Sequence, residues 1–259
     1  MCTLVALHRC TPDAFLWIAA NRDEYLDRAA EGPSLRAGRS GPVLSPLDRR
    51  AGGTWWGINS HGVFAAITNR PNRAPDPTRR SRGQLVIDAL AHGSARTATD
   101  VLAGLGRGLY NPFNLFVADA SDAAAVVYEE TPRVMALAPG VHVIGNADPN
   151  AREVAKIRRT LERAEAVAAG PTEQIADGLI AICRSHEAGD DPLASTCVHR
   201  GGYGTRSSTL LRLGSDRDLL RHADGPPCTS PYHDFTPLLA ELGTPAETRA
   251  GETATRKAS

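Results

Sequence analysis

Two short apolar runs open the chain, TLVALH at 3–8 and FLWIAA at 15–20, separated by the polar link RCTPDA. Apolar runs of this length around Pro12 and Asp13 predict two buried strands joined as a hairpin. NRDEYLDR then breaks the pattern with charge. Residues 54–67, TWWGINSHGVFAAI, predict a second hairpin turning near Asn59-Ser60-His61-Gly62, and a loop rich in Pro, Asn and Arg follows. From Ser81 the spacing of Leu85, Val86, Ala89 and Leu90 is helical, and a second short helix is expected at 97–105. Strands are expected at 113–119, 124–129, 133–137 and 141–145, as a meander. An amphipathic helix is predicted over 148–170, capped by Asp148 or Asn150 and stopped by Gly170, with another helix at 172–184 and a strand at 208–213. From Gly243 the sequence turns small and polar, so a single domain over 1–242 and a disordered tail over 243–259 are expected.

Antiparallel meanders with paired helices indicate an α+β fold rather than alternating βαβ units. No GxGxxG follows a strand, and GLGRG at 104–108 reads as a helix C-cap, not a phosphate loop.

Composition narrows the function classes. Of 259 residues, 42% are hydrophobic and 22% charged, ordinary values for a globular protein. Lys+Arg and Asp+Glu both number 29, so the net charge is zero and leaves no electrostatic footprint for nucleic acid. Arginine supplies nearly all the positive charge, the only lysines being Lys156 and Lys257. The five cysteines (Cys2, Cys10, Cys183, Cys197 and Cys228) form no CxxC pair. That excludes zinc-finger and redox motifs and suggests reduced thiols in the cytoplasm. The opening lacks a basic leader and a long apolar segment, and no run approaches a membrane span, so membrane insertion is not expected. None of the eight histidines has metal-ligand spacing; no metal and no cofactor are expected. The oligomeric state is not legible.

The candidate chemistry lies where strands end. NRDE at 21–24, TNRPN at 68–72, IGNAD at 144–148 and YGTRSST at 203–209 each border an apolar run. Polar residues at strand termini converge on one rim of a sheet, where active sites sit. A cysteine at position 2 adds a nucleophile at the head of the first strand.

MC at the start, NRDE, GGTWWGIN, the TNRPN loop and YGTRSST together resemble the NRDE family, which includes the Transport and Golgi organisation 2 proteins, over Cys2 to about Leu213. That family in turn resembles cysteine-type N-terminal nucleophile (Ntn) hydrolases, such as penicillin V acylases and bile salt hydrolases. The resemblance implies a four-layer αββα sandwich of two antiparallel sheets. It also implies that Cys2 becomes the first residue once Met1 is removed. A terminal cysteine carries its own general base, an α-amine of pKa about 7.7–8.0 beside a thiol of about 8.5. Arg22 would favour the thiolate and Asp23 would orient the amine. Carried over by motif, Asn146 and the backbone N–H near Asn69 would hold the oxyanion, Arg206 would brace the site, and Trp56 and Asn21 would contact substrate.

Plainer readings stand beside these. Asn21 and Glu24 also fit a turn and a surface charge, Arg22 and Asp23 an ion pair closing a loop, and Asn69 turn chemistry before Pro71. The functional expectation is a cysteine amidohydrolase or acyltransferase acting on a small amide or ester through an S-acyl intermediate. The alternative is a non-catalytic carrier of haem or lipid, as members similar to the Transport and Golgi organisation 2 proteins have been linked to haem trafficking and to lipid and Golgi homeostasis. His61, His142 or a cysteine would then be the candidate axial ligand.

Overall fold

The computed structural model describes residues 2–71, 75–187 and 191–243. Every residue of Thr3–His8 (β1) is buried, so both faces of this strand need apolar cover. Leu4 and Ala6 enter one core with Leu16 and Ile18 of Ala14–Tyr25 (β2), while Val5 and Leu7 enter another with Trp17 and Ala19. The period of two along a strand therefore divides each apolar run between two cores.

The first sheet has seven strands in the order Gly140–Ile144 (β10), β1, β2, Tyr203–Gly214 (β12), Leu219–Ala223 (β13) and His233–Asp234 (β14), with His199–Arg200 (β11) pairing onto β12. The second runs in near-sequential order through Ala30–Ala37 (β3), Pro42–Asp48 (β4), Trp56–Asn59 (β5), Phe64–Asn69 (β6), Phe113–Ala118 (β7), Ala123–Tyr128 (β8) and Pro132–Leu137 (β9). All neighbouring strands are antiparallel.

The two sheets close on a core that includes Leu4, Ile18, Leu44, Trp56, Phe64, Phe116 and Leu211. Gly83–Ala89 (α1) and Ala95–Ala103 (α2) cover the outer face of the second sheet with Leu85, Val86, Ala98 and Leu102. Ala155–Ala168 (α3) and Ile175–Cys183 (α4) cover the outer face of the first with Ile157, Leu161, Leu179 and Ile182. Pro237–Leu242 (α5) adds Leu239 and Leu242 to the inter-sheet core. The result is an αββα sandwich, the fold class expected.

Local departures from the sequence pattern have physical causes. The apolar run stops at Ala20, yet β2 continues through NRDE to Tyr25, because β12 runs beside it as far as Tyr203. β3 escapes prediction because, at the sheet edge, it is half-exposed along most of its length and lacks alternation, and β4 because Ser45 and Pro46 interrupt its short buried run. α3 starts at Ala155, with neither Asp148 nor Asn150 as its cap. Asp148 instead accepts from Arg70 at 2.9 Å and Arg133 at 2.7 Å, and Asn150, at φ +60°, accepts from the Val143 N–H at 2.8 Å. The expected tail beyond Gly243 lies outside the described residues. Among the described residues no helix is long and apolar enough to cross a membrane.

Trp56 is 1% exposed and stacks on Phe64 at 6.2 Å between ring centroids. Trp56→Ala should cost about 3–5 kcal/mol in denaturant unfolding, and Trp55→Ala clearly less, since Trp55 is only partly buried. His222, 2% exposed, shares a 2.9 Å hydrogen bond with Thr209, and burial pushes its pKa down to about 4. Between that value and the unfolded value of about 6.5, the unfolded chain takes up a proton that the folded chain refuses. Stability should therefore fall by about 3 kcal/mol as pH drops through that window. Urea titrations at several pH values should show this slope reduced in His222→Gln.

Candidate active site

β1 begins at the rim where β2, β4 and β6 end, and a cleft of about 600 Å³ opens there. Cys2, Arg22, Asp23, Trp55, Asn69 and Arg82 are among its lining residues. The β1–β2 register pairs Thr3 with Asn21, which brings Cys2 alongside the NRDE segment. The Cys2 Sγ accepts from the Asp23 backbone N–H at 3.4 Å and lies 3.6 Å from the Asp23 carbonyl oxygen.

Asp23 is buried among fixed partners. The β2–β12 register sets it opposite Thr205, whose Oγ1 donates to Asp23 Oδ1 at 2.7 Å. Tyr203 donates its hydroxyl to the Asp23 carbonyl at 3.3 Å. The Lys156 Nζ, buried on α3, lies 3.9 Å from Asp23 Oδ2. Arg22 packs its guanidinium over the Trp55 ring at 4.2 Å and reaches Asp48 Oδ2 at 3.5 Å, while Arg28 meets the same oxygen at 2.8 Å. Burial opposes ionisation of Asp48, yet these arginines and the backbone N–H groups of its loop hold its carboxyl below the usual range.

The thiol itself is not pre-ionised. Burial pushes the Cys2 pKa up and the Asp23 carboxylate adds to the rise; the Asp23 N–H and Arg22 pull it down without prevailing. The expected influence of Arg22 is present but outweighed by desolvation.

Gly53 and Gly83 shape one wall of the cleft. A Cβ on Gly53 would fall 2.6 Å from the Gly83 carbonyl carbon, so only glycine permits the TWW loop to lie against the start of α1.

The other expected site residues divide. Asn69 lines the cleft at the end of β6, and its carbonyl accepts a hydrogen bond from the Asn146 side chain. The loop carrying Asn146 is fixed to the second sheet: Thr68 donates to the Gly145 carbonyl at 2.6 Å, and Asn114 to those of Gly145 and Ala147 at 3.0 and 2.7 Å.

Asn21 does not line the cleft. Its amide donates to the carbonyls of Cys183 at 2.8 Å and Thr196 at 3.0 Å, because alternation turns it to the opposite side from Arg22. Trp56 does not wall the cleft either; the same alternation sends it into the inter-sheet core and leaves Trp55 at the cleft. Arg206 does not brace the site. It is the extra residue of a β-bulge between Thr205 and Ser207 and pairs with Asp224 at 2.7 Å.

Sequence reasoning missed Trp55, Lys156, Thr205, Asp48 and Arg82. Strict alternation would have singled out Trp55 over Trp56. Lys156 had a signal in its rarity, being one of two lysines.

The charges around Cys2 make a signed prediction. In a chain kept with Met1 in place by an N-terminal tag, iodoacetamide labelling of Cys2 should titrate above the ordinary thiol value of about 8.5. Asp23→Asn should move that midpoint down and Arg22→Gln should move it up, as read from the labelled peptide by mass spectrometry across pH. Shifts of the opposite sign would overturn this account of the thiol's surroundings.

Known proteins resemble this chain at two levels, fold and sequence. Among solved structures, the Caenorhabditis elegans ortholog of N-acylethanolamine-hydrolyzing acid amidase superposes with a TM-score of 0.56 at 11% identity, covering 81% of this chain and 92% of that one. A variant of the conjugated bile acid hydrolase from Clostridium perfringens superposes with a TM-score of 0.55 at 10% identity, covering 90% and 92%. At those identities the likeness is one of fold, that of the Ntn hydrolases.

In sequence, the human Transport and Golgi organization protein 2 homolog is 32% identical over 237 residues, covering 78% of this chain and 83% of that protein. The Bos taurus homolog is 31% identical over 231 residues, with 78% and 83% covered. The family model for Transport and Golgi organisation 2 matches residues 1–220. The chain therefore belongs to the Transport and Golgi organisation 2 family.

Proposed function

We propose that the protein is a cysteine amidohydrolase of the N-terminal nucleophile type, acting on a small amide or ester through an S-acyl intermediate on Cys2. The observation that carries this reading is the position of Cys2 in the lining of a charged cleft, its sulfur against the backbone of a buried Asp23. The fold shared with an acid amidase and a bile acid hydrolase supports it.

Removal of Met1 makes the Cys2 α-amine available as the base. The amine takes the thiol proton as sulfur attacks the acyl carbon. The carbonyl π electrons move to oxygen, where the backbone N–H near Asn69 would donate a hydrogen bond, joined by the Asn146 amide if its side chain turns from the Asn69 carbonyl toward the cleft. The C–N or C–O bond breaks as the ammonium returns its proton to the leaving group. Water then attacks the thioester with the amine again as base, releasing the acid and the thiol; an amine acceptor in place of water gives acyl transfer. Asp23, locked by Thr205, positions the α-amine.

The arginines Arg22, Arg28, Arg50, Arg79, Arg80 and Arg82 line the cleft against four acids, Asp23, Glu24, Asp48 and Asp76. That excess favours a substrate bearing an anionic group.

The alternative, carriage of haem or lipid, draws less from this cleft. Neither His61 nor His142 lines it, and His142 is engaged with Ala138 and Asn150.

The test is turnover of amides and esters carrying a carboxylate, using protein whose Met1 has been removed. Cys2→Ala should lose at least about 10³-fold in kcat/KM with the fold retained, and a stalled ester should add its acyl mass to the Cys2 peptide. Asp23→Asn should also lose turnover. Undiminished turnover in Cys2→Ala rules out the nucleophile. A chain without turnover that gives a saturable Soret shift with haemin is a carrier.

A further inference from the structure

Outside the cleft, four side chains converge that no motif brings together: His186, Cys197, His199 and Cys228. One ligand atom from each lies within 4.8 Å of all the others. The Cys197 and Cys228 sulfurs are 3.6 Å apart, the Cys197 sulfur and His199 Nε2 3.6 Å, and His199 Nε2 and the Cys228 sulfur 3.2 Å. The His186 and His199 rings are 5.1 Å apart between centroids. Ligands about 2.0–2.3 Å from a tetrahedral zinc ion are separated from one another by roughly 3.3–3.8 Å. The three separations between named ligand atoms fall in or just below that range.

We propose that these four residues form a structural Cys2His2 zinc site. The donor set decides the metal and its role. Two thiolates and two imidazoles in a compact tetrahedral arrangement select zinc over magnesium or calcium, and four protein ligands leave no open position for substrate. Binding Zn²⁺ to two neutral imidazoles and two thiolates releases the two thiol protons to solvent and leaves the site uncharged.

The ligands come from three segments, each already fixed by hydrogen bonds. The Cys197 N–H donates to the Ser185 carbonyl at 2.9 Å, beside His186. Cys228 sits in a turn closed by the Ser230 N–H on the Pro226 carbonyl at 2.8 Å, and Arg184 Nε donates to the Pro227 carbonyl at 2.9 Å. His199 heads β11, paired with β12.

The site also bears on the cleft. The Val198 N–H donates to Thr205 Oγ1 at 2.9 Å, the hydroxyl that donates to Asp23, and the Thr196 carbonyl accepts from Asn21. A zinc ion would staple the strand pair that positions Asp23. This inference does not depend on Cys2 being a nucleophile.

The test uses the full chain purified with a non-chelating reductant from zinc-supplemented cells. About one zinc per chain is expected by elemental analysis. After removal of zinc, Co²⁺ titration should give the intense visible bands of tetrahedral cobalt with a sulfur-to-cobalt charge-transfer band, saturating at one equivalent. Cys197 and Cys228 should become alkylated faster on zinc removal, while Cys10 and Cys183 keep their rates. Cys228→Ser and the exposed His186→Ala should each weaken cobalt binding by at least about 100-fold, since even losing a supporting residue around a metal costs 10–100-fold. If Cys228→Ser fails to fold, His186→Ala and the titration of the unaltered chain still decide. The proposal is overturned if the reduced chain gives no tetrahedral cobalt spectrum, if both variants bind cobalt unchanged, or if Cys197 and Cys228 are joined as a disulfide under these reducing conditions.

Discussion

The pairing of β2 with β12 is the constraint on which the rest of the structure depends. Both strands are twelve residues long, and they pair antiparallel from Ala14 against Gly214 to Tyr25 against Tyr203, with register shifts between Thr205 and Ser207 and between Leu213 and Gly214. At one end the pairing buries Leu16, Ile18, Leu211 and Leu213 between the sheets. At the other it carries NRDE and YGTRSST side by side to the rim. Pairing satisfies the backbone, so the charged residues at the rim can be buried with their side chains committed to fixed partners. Asp23 against Thr205 is the tightest of these commitments.

The bulge at Arg206 shows how finely that pairing sets the site. Opposite Asp23, the inward position belongs to Thr205, which is fully buried, while the extra residue is expelled toward Asp224. A polar hydroxyl rather than a guanidinium then faces the Asp23 carboxylate. The positive charge near Asp23 comes from Lys156, on a helix of another layer. Burial dominates the electrostatics of this region: it raises the Cys2 thiol and lowers Lys156, leaving each closer to its neutral form than charge pairing alone would.

The opening strands were legible in the chain because their apolar runs imply burial, whereas the αββα layer order was implied by the family resemblance. TLVALH and FLWIAA are apolar on both faces, which only a strand between two cores requires. The helices announced themselves by spacing, as at Leu85, Val86 and Ala89. The edge strand β3 did not, since a half-exposed strand carries little apolar pattern, and neither did β4, whose short buried run is interrupted by Ser45 and Pro46. Of the motif residues singled out, Cys2, Arg22, Asp23 and Asn69 line the cleft, whereas Asn146 and Arg206 are not among its lining residues. Within segments the side-chain direction was misjudged, at Asn21, Trp56 and Arg206.

What the sequence by itself determined is therefore most of the elements, the α+β class and several of the segments that meet at the rim, while the two-sheet order was implied by the family resemblance. These depend on burial periodicity and on short local motifs. Which side chain of each segment turns inward was decided by the tertiary structure, because strand phase and the bulge are properties of the paired sheet. The same holds for groups brought together from distant segments: Lys156 beside Asp23, and His186, Cys197, His199 and Cys228 around one point. No local spacing encodes such convergence. It exists only once the two long strands have paired and α3 and α4 have packed against them.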